Sequence, residues 1–94
     1  MIVGYGDKRT RDFASGKRVK AFSGLEHAAR MRLDRLEAAT TLKDLRALPG
    51  NRLEALVGDR RGQYSIRIND RWRICFEWPD GAPGPSGVEI VDYH

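Results

Sequence analysis

A chain of 94 residues, 40% hydrophobic and 32% charged, is long enough for one modest core and too ordinary in composition for disorder. Its apolar runs are only a few residues long, which excludes a membrane-spanning helix and a secretory signal. The lone Cys75 excludes an internal disulfide and points to a reducing, cytoplasmic setting. The balance is basic, 17 Lys+Arg against 13 Asp+Glu for a net charge of +4. The excess is uneven: in residues 1–20, Lys8, Arg9, Arg11, Lys17, Arg18 and Lys20 face only Asp7 and Asp12. Such an excess suits a polyanionic partner through counterion release, without specifying any sequence. His27 and His94 stand far apart with no Cys-x-x-Cys or His-x-x-x-His spacing near them, so neither a metal nor a cofactor is expected.

In chain order, residues 1–5 read as a short first strand. Asp7 suits a helix N-cap and Gly16 a stop, giving a short basic helix over 8–15. Ser23 and Glu26 have the spacing of a capping box. Behind them Leu25, Ala29, Leu33 and Leu36 recur on one helical face running to about Ala39. The charges on the other faces (Arg30, Arg32, Asp34, Arg35, Glu37) read as a solvated surface, as does His27. Thr41 and Asp44 repeat the capping pattern for a turn of helix over 42–45, and Pro49-Gly50 breaks the chain.

Everything after that break reads as strands. Leu53, Ala55 and Val57 alternate, then 58–62 turn; Tyr64, Ile66 and Ile68 alternate, and Asn69-Asp70 supplies a hairpin turn. Trp72, Ile74, Phe76 and Trp78 form the longest alternation and read as core, not as base-stacking residues. A Pro/Gly-rich tip over 79–87 precedes a last strand carrying Val88 and Ile90. The expected architecture is α+β, one domain over 1–94, with an antiparallel sheet covered on one face by helices. Its other face would carry Gln63, Ser65, Arg67, Arg71, Arg73, Cys75 and Glu77. That face is either an RNA platform or the ordinary wet side of an antiparallel sheet. In the second case Arg73 pairs with Glu77 and Cys75 is inert packing.

Asp92-Tyr93-His94 follows the last strand directly. A carboxylate, a phenol and an imidazole held on a rigid element suit acid–base chemistry on a flat, charged substrate. The same three residues are also what a strand ending at the chain's end looks like.

Together, Asn51-Arg52-Leu53-Glu54, Gly58-Asp59-Arg60-x-Gly62-Gln63-x-Ser65-Ile66-Arg67-Ile68-Asn69, Trp72-Arg73-Ile74-Cys75-Phe76 and Val88-Glu89-Ile90-Val91-Asp92-Tyr93-His94 resemble the HigB branch of the RelE/ParE toxin superfamily. The resemblance covers most of the chain and rests on order and spacing jointly. It implies a twisted antiparallel sheet of four to five strands with two helices packed on one face. It implies a toxin of a type II toxin–antitoxin system, a ribosome-dependent mRNA endonuclease that inhibits translation without metal. The implied partners are the ribosome and mRNA, and a helix-turn-helix HigA-type antitoxin in a hetero-oligomer that binds operator DNA; no membrane is involved.

Carried onto this sequence, the resemblance makes Arg73 the stabiliser of phosphate charge, and Asp92 and His94 the acid–base pair, with His94 titrating. Tyr93 would stack on or bond to a base or ribose. Arg60 and Arg67 would grip flanking phosphates, or else stay solvated or face the antitoxin. Where some HigB proteins have a histidine and a lysine, this chain has Glu54 and Val57. No two-histidine mechanism is then available, and Glu54 or Asp92 takes the second role unless cleavage is weak. Two other readings compete: a non-catalytic gyrase poison, as in the ParE branch, and an RNA-binding module acting on ribosome assembly.

Overall fold

The computed structural model describes residues 1–92. Three helices, α1 (Lys8–Ala14), α2 (Glu26–Ala38) and α3 (Leu42–Arg46), precede β1 (Glu54–Ala55), β2 (Gln63–Arg67), β3 (Trp72–Glu77) and β4 (Ser86–Asp92). The strands form one antiparallel sheet in the order β1-β2-β3-β4, the arrangement expected from hairpin-linked segments. No helix among the described residues is long and apolar enough to cross a membrane.

Alternation fixes the buried face. Ile66 pairs with Ile74 and Ile74 with Ile90, so all three side chains leave the sheet on one side, and each is 0% exposed. The α2 stripe of Ala29, Leu33 and Leu36 completes that core with Phe13, Phe22, Phe76, Trp78 and Val88. Burying each of the large aliphatic or aromatic side chains contributes about 1.5–3 kcal/mol. α1 is docked onto β4 by the Thr10 hydroxyl, which accepts the Ile90 N–H at 2.9 Å.

The caps decide where the helices start. Asp7 accepts the Thr10 N–H at 3.0 Å, and Thr41 with Asp44 forms the expected capping box. The expected box at Ser23 does not form. Leu25 is drawn into the core as the N-cap residue without a side-chain cap, and Glu26 accepts the N–H of Gly24 at 2.8 Å. Burial of Leu25 thus outweighs one capping bond, and α2 starts at Glu26.

Two strand expectations need correction. Residues 1–5 are not a strand: only Tyr5 bridges Val88, in parallel, flanked by bonds of Gly4 and Gly6 with Val88. The segment is squeezed there, since a Cβ on Gly84 would lie 1.7 Å from the Met1 carbonyl oxygen. Around β1 the alternation has the opposite phase. Leu56 is buried, while Val57 is 85% exposed because the chain turns into a 3₁₀ turn at Gly58–Arg60.

The arginines of α2 are not simply solvated. Arg30 stacks 4.4 Å over the Phe13 ring and donates to the Phe13 and Ala14 carbonyls at the end of α1. Arg32 donates to the Arg67 carbonyl at 2.8 Å, and Arg35 to the Asn51 side chain at 3.2 Å. Partial burial, then the neighbouring Arg35 and Arg67, pulls the Arg32 guanidinium below its ordinary value. His27 is exposed, as expected.

Candidate functional site

The sheet face away from the helices is neither bare nor uniformly wet. At its centre Ser65 and Cys75 are 0% exposed and Arg73 is 9% exposed, whereas Gln63, Arg67 and Glu89 are half-buried around them. The cover comes from the chain before β1. A 3₁₀ turn at Pro49–Asn51 carries Arg52 across the sheet, and the Arg52 carbonyl accepts from Arg73 Nη2 at 2.7 Å.

Arg73 is fixed by three bonds. Nε donates to Ser65 Oγ at 2.6 Å, and Nη2 donates to Arg52 O and, at 3.4 Å, to Ser65 O. Among the described residues Nη1 has no hydrogen-bond partner, so two N–H groups of the fork remain for something else. Among the described residues the carboxylate paired with it is Glu54, whose Oε1 lies 3.8 Å from Nη2. The expected structural pairing with Glu77 is therefore replaced by Glu54, which β1 brings opposite Ser65.

Arg60 and Arg67 flank this centre, and both are engaged within the fold. Arg60 Nη1 donates to Gln63 Oε1 at 3.0 Å and lies 3.5 Å from Glu89 Oε2. Arg67 pairs with Asp70 and donates to the Asn69 carbonyl, bracing the β2–β3 hairpin. Neither is simply solvated. Burial pushes the Cys75 thiol up, against the smaller opposing pull of Arg60, so it stays a neutral packing group, as expected.

Asp92 does not meet Arg73, as a site shared between the two would require. Asp92 pairs with Trp72 across β3–β4, while Arg73 pairs with Val91, so alternation sends Asp92 and Arg73 to opposite sides of the sheet. The Asp92 carboxylate instead receives a two-pronged bond from Arg71, at 2.8 and 2.6 Å. That bond, and then the charge of Asp92, raises the Arg71 guanidinium. Tyr93 and His94 lie outside the described residues.

Sequence reasoning placed Ser65 and Arg71 only on the candidate RNA platform, with no individual role, and gave none to Glu89 or Arg52. Strand register could have flagged Ser65, which sits diagonally beside Arg73. Nothing in the apolar period marks Arg52. No group of three or more His, Cys, Asp or Glu side chains among the described residues is gathered as metal ligands.

What the described residues offer chemically is an immobilised guanidinium with two donors open among them, a carboxylate beside it, and half-buried cations on either side. Comparison with known proteins identifies the family. The chain matches, over residues 6–94, a family model described as RelE-like toxin of type II toxin-antitoxin system HigB. Toxin HigB-1 of Vibrio cholerae serotype O1 is 46% identical over 60 residues, covering 64% of this chain and 63% of that relative. Endoribonuclease HigB of Proteus vulgaris is 36% identical over 63 residues, covering 65% of this chain and 66% of that protein. The chain thus matches just under two thirds of the length of these relatives, and it belongs to the HigB-like, RelE-like toxins of type II toxin–antitoxin systems.

Proposed function

We propose that this protein is a ribosome-dependent mRNA endonuclease that arrests translation, held silent by a HigA-type helix-turn-helix antitoxin. In this reading the toxin–antitoxin complex binds its own operator, and the toxin acts in the cytoplasm on message bound to the ribosome. The observation that carries the reading is Arg73, locked by Ser65 and Arg52 with Nη1 left open among the described residues. A cation already immobilised stabilises a charge that appears only in the transition state, without reorganising to do so. The name of the Proteus vulgaris relative, Endoribonuclease HigB, supports the same chemistry.

The reaction needs no metal. A base removes the proton of a ribose 2′-OH, and the freed oxygen attacks the adjacent phosphorus. The P–O5′ bond breaks, leaving a 2′,3′-cyclic phosphate, and an acid returns a proton to the departing 5′-oxygen. Arg73 takes the charge growing on the non-bridging oxygens. Glu54, 3.8 Å from Arg73, is better situated for the base than Asp92, whose carboxylate is occupied by Arg71. His94 supplies the acid and Tyr93 stacks on a base, while Asp92, paired with Arg71 on the other side of the sheet from Arg73, takes no direct part. Arg60 and Arg67 grip flanking phosphates once RNA competes for their present partners.

Primer-extension mapping after expression tests this. Wild type should produce cuts within coding regions. Arg73→Ala and a His94 deletion should lose them, by roughly 10²–10³-fold for the arginine, while antitoxin binding confirms that both still fold. Growth arrest with intact message and altered DNA supercoiling would sink the reading in favour of a gyrase poison.

A further inference from the structure

Among the described residues the backbone enters the left-handed region at six glycines and at one other residue, Arg52, with φ 45° and ψ 56°. A side chain is strained there, and glycine or asparagine is the usual choice for ending a helical turn this way. The chain uses glycine at every other such position, so an arginine here calls for a reason.

The backbone conformation is fixed from both sides. Asn51, fully buried, donates to the Leu45 carbonyl at 3.2 Å and receives Arg35. The Arg52 N–H closes the 3₁₀ turn on Pro49 O at 3.3 Å, and its carbonyl receives Arg73 at 2.7 Å. All of this requires only a peptide unit, which glycine would supply without strain. What glycine would not supply is the side chain. It is exposed and makes no ion pair or hydrogen bond among the described residues, although Glu54 stands two positions on and is drawn toward Arg73. A cation is thus kept on a strained peptide that itself touches the candidate catalytic arginine. Retained strain of this kind accumulates at functional sites.

We infer that Arg52 is a substrate-gripping residue: its carbonyl positions Arg73 while its guanidinium binds an RNA phosphate next to the scissile one. The inference rests on the nuclease reading above. Arg60 and Arg67 must give up internal partners to hold phosphates, whereas Arg52 holds one with no bond to a described residue to break.

The test uses full-length protein on ribosomes carrying a programmed message, with Arg52→Gly and Arg52→Lys. Arg52→Gly should melt at the wild-type temperature or a few degrees above it, because the strain is relieved. The toxin concentration giving half-maximal cleavage should rise about tenfold, with the saturating rate nearly unchanged. Its log–log salt dependence should flatten by about 0.7, one single-strand phosphate contact. Arg52→Lys should recover the salt dependence. Wild-type half-saturation and salt dependence in Arg52→Gly, or a lower melting temperature, would overturn the inference alone. A wild-type protein that cuts no ribosome-bound message would overturn the nuclease reading and this inference with it.

Discussion

Among the described residues, Arg73 commits three of its five N–H groups to Ser65 and Arg52 and leaves two for a ligand. That division makes it both a structural and a functional residue, and the two parts respond differently to substitution. Lysine keeps the charge but has neither the planar fork nor the reach to hold Ser65 Oγ and Arg52 O together. Arg73→Lys should therefore destabilise the fold by about 1–3 kcal/mol, the cost of buried polar groups left without a partner, measurable by urea denaturation. Ser65→Ala leaves the arginine its two carbonyl partners and should cost about 1 kcal/mol. If Arg73→Lys melts like wild type, the bonds to Ser65 and Arg52 do not hold the face together.

At the level of elements, α3 is held by a compact polar device that can be switched off by pH. Asp44 accepts from the Thr40 N–H and hydroxyl and from the Thr41 N–H, in that order of effect, and its carboxyl is lowered from the ordinary 3.8. A depressed carboxyl contributes stability that is present above its unfolded value and lost as pH falls through the folded one. Thr41→Ala should cost about 1 kcal/mol at pH 7. Asp44→Asn should lower the melting temperature at pH 7, and the gap from wild type should narrow at pH 3; an equal gap at both would refute the capping role. α3 was legible in the sequence for the same reason that it is stable: its signal is local, contained in Thr41 and Asp44. The α2 stripe and the β2 and β3 alternations were legible because each follows one period. What was not legible depends on distant partners. Residues 1–5 run beside β4 through a few long-range backbone bonds and a single bridge at Tyr5, and Leu56 turns inward where the chain bends at Gly58. For the candidate site, the strand alternation assigned Arg73 to the right face but could not reveal that Pro49–Arg52 covers it, or that Asp92 faces Arg71.

Across the whole molecule, one four-stranded sheet separates two duties. The side carrying Ile66, Ile74 and Ile90 is sealed under α2, while the side carrying Ser65 and Arg73 is polar and, among the described residues, roofed by the Pro49–Arg52 turn. Substitutions on the first face should therefore act through stability alone, while those on the second change RNA cleavage, with a cost in stability as well at Arg73 and Ser65. Ile74→Ala opens a hole among residues that are 0% exposed and should cost about 2–5 kcal/mol, lowering cleavage only as far as it lowers the folded fraction. Glu54→Gln, on an exposed two-residue edge strand, breaks an ion pair of the kind worth roughly 0–1 kcal/mol. If Glu54 is the base, that change should nonetheless reduce cleavage by about 10²–10⁴-fold in protein whose melting curve is near wild type. Melts and primer extension on the two variants in parallel decide the matter. A Glu54→Gln protein that cuts at the wild-type rate moves the base to the terminal residues, and the carboxylate beside Arg73 then serves only to hold the guanidinium in place.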